Sequence, residues 1–320
     1  MGEPVGLRFR GAPSKHLKKP IPAMIKDFIS IAAAESHIGE IGFVEAYWSR
    51  QLLGQLGAEL PKDLLRRREE YRFIKPYLAR LPAGARVLDG GCGAGEWTIA
   101  LSREGFETTG LDISQALISR LQERFPKQRF VRGDLRDLPF EADSFDALFS
   151  WGAFEHFEIG LAPCLAEACR VLKPGGWLFV TVPFANRRIV HRHERGLVKD
   201  FLPRVKGPPA APRLRFYQWR LTRGELAREL ACAGFEPTAT RLLHKEEGLR
   251  RLLRHDIGLS LTPGSFPEHL LLTALRFVMP AGYAAHILIA AGRKRCDPEV
   301  LPERQPAPAG ARDGLSTSSA

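Results

Sequence analysis

Residues that could bind a cofactor are concentrated near the start of the chain's apolar core. Residues 86–95 read Arg-Val-Leu-Asp-Gly-Gly-Cys-Gly-Ala-Gly, with Asp89 followed by glycines at alternate positions, Gly91, Gly93 and Gly95. Glycines leave no side chain between the backbone and a bound group. The segment comprises the end of a buried strand, then a glycine-rich turn, then the start of a helix. This order indicates a nucleotide-type pocket at the carboxyl end of a parallel sheet. The spacing differs from the G-x-G-x-x-G fingerprint of dinucleotide sites.

Two further acids end the next two predicted strands, Asp112 after residues 107–111 and Asp134 after residues 129–133. Asp112 follows Gly95 by 17 residues (112 − 95 = 17), near the roughly 20-residue offset at which an acid reaches ribose hydroxyls in βαβ nucleotide-binding folds. The two oxygens of one carboxylate can accept hydrogen bonds from both the 2′- and the 3′-hydroxyl. We therefore expect Asp112 to bind a ribose.

Alternating strands and helices must position these acids. The pattern predicts strands ending at residue 88 and over residues 107–112, 129–134, 144–150, 177–182, 235–243 and 286–291, and helices over 61–81, 97–103, 115–125, 163–172 and 223–233. Ser114 is the expected cap of the 115–125 helix, and Thr222 with Glu225 forms a capping box. Residues 173–176, Lys-Pro-Gly-Gly, read as a breaker between helix and strand. The fold class expected is α/β: a Rossmann-like, doubly wound, mostly parallel seven-stranded sheet with helices on both faces.

Composition favours a soluble cytoplasmic protein. The chain has 320 residues, 44% of them hydrophobic, which suffices for a large core. Five cysteines, odd in number and without Cys-x-x-Cys spacing, indicate neither a disulfide framework nor a zinc site. The basic N-terminus resembles no secretory signal, and the apolar stretch 270–291 is interrupted by Arg276, Pro280 and His286, which argues against a transmembrane helix.

The formal net charge of +11 raises the possibility of a nucleic-acid partner, because clustered Lys and Arg attract phosphates. The excess is spread over the N-terminus, residues 187–204 and residues 250–254, with little aromatic interleaving. A solvated, arginine-rich surface is therefore the favoured interpretation, and nucleic-acid binding is the least favoured. Attraction to an anionic substrate or a membrane face ranks between these two.

Several segments in the expected order resemble one family, the class I S-adenosylmethionine-dependent methyltransferases, and within it the methyltransferase type 11 group. They are residues 87–95, 110–114, 133–140, 144–146 with 154–156, 172–176 and 222–235, and the resemblance covers residues 71–293. With it we expect an N-terminal arm and helical cap (1–66), a methyltransferase domain (67–295) with insertions at 184–215 and 244–284, and a disordered tail (296–320) rich in Pro, Ala, Gly and Ser.

The resemblance also implies a binding site for S-adenosyl-L-methionine. The cofactor-binding residues implied are Asp89, Gly91, Gly93, Gly95, Asp112, Ile113, Asp134, Leu135, Ser150 and Trp151. The glycine turn and Asp89 would lie at the methionine moiety, with the Ser150 carbonyl at its amine and Trp151 lining the cleft. Asp112 would bind the ribose, Ile113 and Leu135 would cover the two faces of the adenine, and Asp134 would accept from its exocyclic amine. Two other interpretations stay open: Asp134 could be a turn residue, and Ile113 could belong to the apolar core without contacting the cofactor. Cys92 reads as a packing residue, not a nucleophile.

Methyl transfer to a hydroxyl would need a base, and His156 is the natural candidate because it follows the fourth strand. The alternative is a loop histidine bonded to Glu155 or Glu158. His191 and His193 lie in a basic stretch that would equally suit an acceptor with a phosphate or carboxylate. Tyr47 and Trp48 could line a lid over the cofactor, although simple packing of two aromatic side chains is favoured.

The sequence thus predicts a methyltransferase with a small-molecule, lipid- or glycan-linked acceptor, methylated on oxygen or alternatively on carbon or nitrogen. Segments 1–60, 184–215 and 244–284 would build the acceptor pocket. The apolar part at 270–284 allows a lipid-facing surface, a peripheral membrane contact, but a helix packed on the sheet is favoured. Two alternatives remain: a nucleic-acid or protein methyltransferase that uses the basic surface, and a non-catalytic cofactor binder.

Overall fold

A computed structural model of the chain describes residues 24–31, 35, 37–55, 63–194 and 213–296. Its strands are β1 (Ile25–Ile31), β2 (Arg86–Gly90), β3 (Glu107–Asp112), β4 (Arg129–Arg132), β5 (Phe145–Trp151), β6 (Leu172–Pro183), β7 (Arg213–Arg220), β8 (Phe235–Leu243) and β9 (Ile287–Lys294). Its α-helices are α1 (Glu40–Leu52), α2 (Leu64–Arg67), α3 (Glu69–Leu78), α4 (Glu96–Arg103), α5 (Gln115–Arg124), α6 (Ala162–Val171), α7 (Arg187–Glu194), α8 (Arg223–Cys232), α9 (Lys245–Leu252), α10 (Phe266–Val278) and α11 (Ala281–Ala284).

Seven of the strands form one sheet in the order β4-β3-β2-β5-β6-β9-β8. All neighbours are parallel except β9, which runs antiparallel to both β6 and β8. The predicted α/β, mostly parallel seven-stranded sheet is confirmed. The chain moves outward from β2 to β4 and then returns to β5 on the other side of β2, so the carboxyl ends of β2 and β5 flank the topological switch point where ligands bind in such sheets.

Successive strand residues bury opposite faces of this sheet. Leu88, Leu148 and Leu178 lie in one core cluster, and their neighbours Val87 and Phe149 lie in a second cluster on the other face. All are fully buried. Side chains alternate across a strand, and a sheet covered by helices on both sides must be apolar on both faces, which explains the nearly continuous apolar runs in the sequence.

The two helix caps predicted from the sequence are present in the structure. The Ser114 hydroxyl accepts a hydrogen bond from the Leu117 N–H (3.2 Å) at the start of α5, and the capping box of Thr222 and Glu225 is formed at the start of α8. The bounds of β3 and β8 are those predicted. Helix ends depend on partners within a few residues, so they can be identified without tertiary information.

Two sequence predictions need correction along the core. The charged helix expected over 61–81 is divided at Arg68, whose extended backbone (ψ 134°) separates α2 from α3. Strand β6 begins at Leu172, before the expected breaker and not after it. Leu172 pairs with Phe145 and Trp177 with Ala147, so the residues between them bulge out around Gly175 (φ +76°) before the ladder resumes.

The segments outside the core also differ from prediction. Residues 213–220 form β7, which pairs antiparallel with β1 in a separate two-stranded sheet, although no strand was expected in either place. The basic stretch 187–193 lies in helix α7. Within the 244–284 insertion, α10 packs against α9 and not on the sheet. The arm before residue 24 and the tail after residue 296 lie outside the described residues, and the domain limits stay predictions.

None of the helices in the described ranges combines the length and the apolar character that crossing a bilayer would require.

Candidate functional site

A cavity of about 260 Å³ lies at the carboxyl ends of β2, β3 and β5, beneath helix α1. It brings together eight of the eleven residues that the sequence nominated: Asp89, Gly91, Gly93, Asp112, Ile113, Leu135, Trp151 and His156. Their meeting follows from the parallel sheet, which places the ends of neighbouring strands at one edge. The contact that each residue makes with a ligand stays a prediction.

The glycine turn after β2 forms one wall of the cavity. The Gly91 N–H donates to the Leu111 carbonyl (2.8 Å), which ties the turn to β3. Gly91 has a φ of +79°, and a Cβ at this position would lie 2.6 Å from the Ala153 Cβ. At Gly93, with φ +52°, a Cβ would lie 3.0 Å from Leu52 Cδ1. Backbone conformation therefore favours glycine at both positions, and at Gly91 the space does so as well, whereas the Leu52 side chain could yield at Gly93.

Asp112 is held in place by backbone N–H groups. Its Oδ2 accepts from the Gly93 N–H (2.9 Å) and its Oδ1 from the Ser114 N–H (3.0 Å). Burial raises the pKa of Asp112, and these N–H groups oppose the increase. Each carboxylate oxygen keeps lone pairs beyond those used here, because an ionised carboxylate offers about four acceptor positions.

Asp89 is more weakly held. It is 2% exposed, and its Oδ2 accepts one side-chain hydrogen bond, from the Thr98 hydroxyl (2.7 Å). Burial raises the pKa of Asp89 to about 6, with Thr98 opposing the shift. A cationic group beside Asp89 would lower this pKa again, because an opposite charge favours the ionised carboxylate.

Gly95, Asp134 and Ser150 do not line the cavity. Gly95 caps α4 with φ +74°, and a Cβ there would lie 2.9 Å from Leu121, so both conformation and packing favour glycine at this position. The carboxylate of Asp134 is bound by Arg136 (2.8 Å), and the pKa of Asp134, which burial alone would raise, is lowered by this partner. Ser150 is fully buried within β5, and its hydroxyl has no hydrogen-bond partner.

Helix α1 covers the cavity, and its contribution was largely missed by sequence reasoning. Val44, Trp48 and Leu52 face the cavity from this helix. The helix is attached to the start of α5 by Glu45, whose carboxylate accepts from the Gln115 N–H (3.0 Å), and by the Ser49 hydroxyl, 2.6 Å from the Ser114 hydroxyl. The spacing of four residues between the three cavity-facing side chains is the signal that could have found them.

The cavity has further lining that was not predicted, including Trp97, Gly152, Ala153 and Phe157. Trp97 packs against Trp151 with ring centroids 4.9 Å apart, and the indole N–H of Trp151 is buried without a partner. Cys92 lines the cavity as well, and burial raises the pKa of its thiol, which fits the packing role expected for it.

A second, smaller cleft adjoins the first and shares Val44, Trp48 and His156 with it. Its walls are largely aromatic. The Trp48 and Tyr217 rings each lie 5.0 Å from the His156 ring, and Tyr47 packs on Tyr217 at 5.6 Å. Trp48 thus faces both spaces, whereas Tyr47 lines only the smaller cleft.

His156 is oriented by strand β7. Its Nδ1–H donates to the Tyr217 carbonyl (2.7 Å), so neither Glu155 nor Glu158 is its partner, contrary to the alternative considered from sequence. Burial lowers the pKa of His156 to about 4, against the opposing effect of the Tyr217 and Gly152 carbonyls. His191 and His193 lie on α7, on exposed positions, and line neither space.

Comparison with known proteins agrees with this geometry. A family model described as a methyltransferase domain matches residues 87–176. The phthiotriol/phenolphthiotriol dimycocerosates methyltransferase 1 of Mycobacterium ulcerans is 42% identical over 31% of this chain and 38% of that protein. The 2-methyl-6-phytyl-1,4-hydroquinone methyltransferase of Synechocystis is 34% identical, over 47% of this chain and 50% of that protein. The demethylmenaquinone methyltransferase of Tropheryma whipplei is 34% identical, over 54% of this chain and 75% of that protein. The chain belongs to the class I S-adenosylmethionine-dependent methyltransferases.

The match to the first two relatives spans about half of their length or less. Within the methyltransferase family, S-adenosylmethionine is the cofactor, and the residues matched by the family model include β2 to β5, whose ends form the larger cavity. Helix α1 and strand β7, which build the smaller cleft, lie outside residues 87–176.

Proposed function

We propose that this methyltransferase transfers the methyl group of S-adenosylmethionine to a small-molecule or lipid- or glycan-linked acceptor that occupies the aromatic cleft. The observation that carries the proposal is the junction of the two spaces at Trp48 and His156. A donor held at the strand ends and an acceptor held between aromatic rings would meet there.

The residues of the larger cavity suit S-adenosylmethionine. Asp112 offers free acceptor positions to a pair of ribose hydroxyls, and Asp89 offers a carboxylate to an ammonium group. Ile113 and Leu135 provide apolar walls for a flat ring. Gly91 and Gly93 line the cavity without a side chain, so a ligand could approach the backbone of the turn.

The bound cofactor supplies an electrophilic methyl group, because its sulfonium is a good leaving group. The protein's task is to hold the acceptor in line and to exclude water. Trp48 and Tyr217 would orient the acceptor by ring contacts. His156, protonated on Nδ1 by its bond to Tyr217, keeps a lone pair on Nε2 that can receive a hydroxyl proton.

The names of the relatives support an apolar acceptor. Those proteins are named for a hydroquinone, a demethylmenaquinone and a phthiotriol dimycocerosate. The aromatic part of the smaller cleft favours rings and hydrocarbon, while Glu40, Glu158 and Arg215 also line it; the aromatic residues are Phe43, Tyr47, Trp48, Phe216 and Tyr217. We therefore favour O-methylation of an apolar small molecule or lipid, with C- or N-methylation as the alternative.

Calorimetry with S-adenosylmethionine tests the donor half of the proposal. We expect the wild type to bind and Asp112→Ala to bind at least about tenfold more weakly, since it loses charged hydrogen bonds to the ligand. Asp146→Asn is a matched control, because Asp146 also accepts a backbone hydrogen bond (from the Arg86 N–H, 2.8 Å) but does not line the cavity. Undiminished binding by Asp112→Ala would reject the cofactor site.

Incubation with methyl-labelled cofactor and fractionated cell extract tests the acceptor half. We expect label in the small-molecule or lipid fraction, and Trp48→Ala should reduce it. Label that enters only RNA or protein would favour the alternative based on the net charge of +11. Binding without transfer to any fraction would indicate a non-catalytic cofactor binder.

We also propose a reducing, cytoplasmic location. All five cysteines are free in the structure, and Cys92 and Cys164 are buried. Cell fractionation with thiol labelling would test this assignment, and oxidised cysteines in the native protein would contradict it.

A further inference from the structure

Helix α10 exposes an apolar face that neither the cofactor cavity nor the aromatic cleft uses. Phe266 is 77% exposed, Leu270 60%, Phe277 87% and Val278 81%. Positions 266, 270 and 277 lie on one stripe of the helix, because about one turn separates 266 from 270 and about two turns separate 270 from 277. Such a cluster of outward aromatic and aliphatic side chains on a single helix marks an interaction surface.

The opposite face of α10 is fixed, so the stripe cannot turn inward. Leu272 is buried against α9, and the carboxylate of Glu268 binds Arg250 of that helix (3.1 Å). At the other end of the hairpin the Lys245 ammonium donates to the Arg276 carbonyl (2.5 Å). Helices α9 and α10 therefore run antiparallel as a helical hairpin (residues 245–278), with the apolar stripe on its outer side.

The charges on α10 favour an anionic partner. Its single carboxylate, Glu268, is 5% exposed and is bound both by Arg250 and by the Gly264 N–H (2.7 Å). The ionisable side chains on its exposed positions are His269 and Arg276. The whole chain carries a net charge of +11. No exposed carboxylate of this helix would thus repel an anionic surface.

We propose that the outer face of α10 docks in the plane of an anionic lipid bilayer. The helix has 13 residues, which is too short to span a bilayer but suited to lying in its interface with the aromatic stripe in the acyl region. Arg276, on the flank of the stripe, would meet lipid phosphates. Ile257, 62% exposed in the turn that follows α9, adds an apolar side chain at the end of the hairpin where α10 begins.

Vesicle co-sedimentation of the full chain tests this proposal without measuring methyl transfer. We expect binding to phosphatidylcholine vesicles that contain phosphatidylglycerol, and weaker binding to phosphatidylcholine alone. The double variant Phe266→Ser/Phe277→Ser should lower the partition coefficient at least about tenfold, given the transfer energy of a phenylalanine side chain. Ile159→Ser, at a 73% exposed position outside the hairpin, is the matched control and should bind as the wild type does.

Three outcomes would overturn the proposal: no sedimentation of the wild type with either vesicle, equal binding by the double variant, or equal loss in Ile159→Ser. A wild type that is dimeric in analytical ultracentrifugation and a double variant that is monomeric would show instead that a second copy covers this face. Loss of folding is not expected, because both phenylalanines are largely exposed, and thermal unfolding of the variant monitors it.

Discussion

At the scale of single residues, Asp89 and Asp112 have the same side chain but different partners. Asp112 accepts backbone hydrogen bonds from Gly93 and Ser114, whereas Thr98 bonds Asp89 through both its hydroxyl and its backbone N–H. Burial raises the pKa of both acids, and it raises that of Asp89 to about 6 in spite of these hydrogen bonds. Asp89 is therefore the carboxylate of this site whose charge is most open to change by pH.

We expect cofactor affinity to fall as the pH decreases below about 6, the raised pKa of Asp89. The protonated acid cannot pair with the ammonium group of the ligand, so the dissociation constant should rise by up to about tenfold per pH unit below that value. Calorimetry between pH 5 and pH 8 measures this dependence. Asp89→Asn should bind weakly at every pH and without the dependence; an equally steep dependence in that variant would assign it to another group.

His156 should affect transfer and not donor binding. Because its pKa is lowered to about 4, the ring is neutral at pH 7, so its Nε2 carries a free lone pair, but the imidazole is a weaker base than an ordinary histidine. We expect His156→Gln to reduce the rate of label transfer by about 10- to 100-fold, at the lower end of what a general base contributes because the pKa of His156 is low. Cofactor affinity, measured by calorimetry, should change little. His193→Gln, on the exposed side of α7, is the control, and an equal loss in both variants would argue against a base at position 156.

At the scale of elements, helix α1 and strand β7 complete a site whose floor belongs to the sheet. Helix α1 is attached to α5 through Glu45 and Ser49, and β7 holds His156 through the Tyr217 carbonyl. Strand β7 is in turn anchored to β1, where Asp27 binds the buried Arg220 (2.7 Å) and accepts from the Gln218 amide (2.8 Å). The aromatic cleft therefore depends on pairing between β1, near the start of the described chain, and β7, which lies far from it in sequence.

Detaching α1 should weaken cofactor binding without disturbing the sheet. We expect Glu45→Ala/Ser49→Ala to raise the dissociation constant of S-adenosylmethionine by about five- to thirtyfold, the equivalent of one to two hydrogen bonds. Amide hydrogen exchange over residues 40–52 should become faster. Arg50→Ala is the control on the same helix, since Arg50 is directed toward the solvent and pairs with Glu35 (3.2 Å). A double variant indistinguishable from this control would show that α1 is not a lid.

At the scale of the whole molecule, one buried acid opposes stability at neutral pH. Glu155 is 2% exposed, one of its oxygens has no hydrogen-bond partner, and burial raises its pKa to about 8 despite the nearby Arg220. In the unfolded chain a glutamate ionises near pH 4.3, at about its unperturbed pKa. Between these two values the folded state holds a proton that the unfolded state releases, so stability decreases as the pH rises.

Glu155→Gln should remove this dependence, because an amide resembles the protonated acid. We expect the variant to be more stable than the wild type by about 2–5 kcal/mol at pH 8, and nearly equal at pH 4.5. Urea unfolding at both pH values measures the difference. Glu158→Gln, at an exposed carboxylate paired with Lys26, should follow the wild type at both. A gain for Glu155→Gln of the same size at pH 4.5 and pH 8 would contradict the assignment.

The sequence by itself determined the sheet and the donor half of the site. Strand, turn and helix follow one another within about thirty residues in such βαβ units, so the spacing of Asp89, the glycines and Asp112 already places them at neighbouring strand ends. The sequence could not show that the carboxylate of Asp134 pairs with Arg136, which also binds Glu40 of α1 (2.9 Å), a helix distant in sequence; the role of Asp134 toward the ligand stays a prediction.

Only the tertiary structure decided the aromatic cleft, which we propose as the acceptor site, and the outer surface. Ile25 pairs with Arg220, and no local pattern identifies a partner so far along the chain. The apolar stretch at 270–284 was expected to lie on the sheet, yet the stripe of α10 faces solvent because α9 occupies its other side. Periodicity shows that a helix has an apolar face, but it cannot show which neighbour covers that face, since burial is a property of elements that meet only in the folded chain.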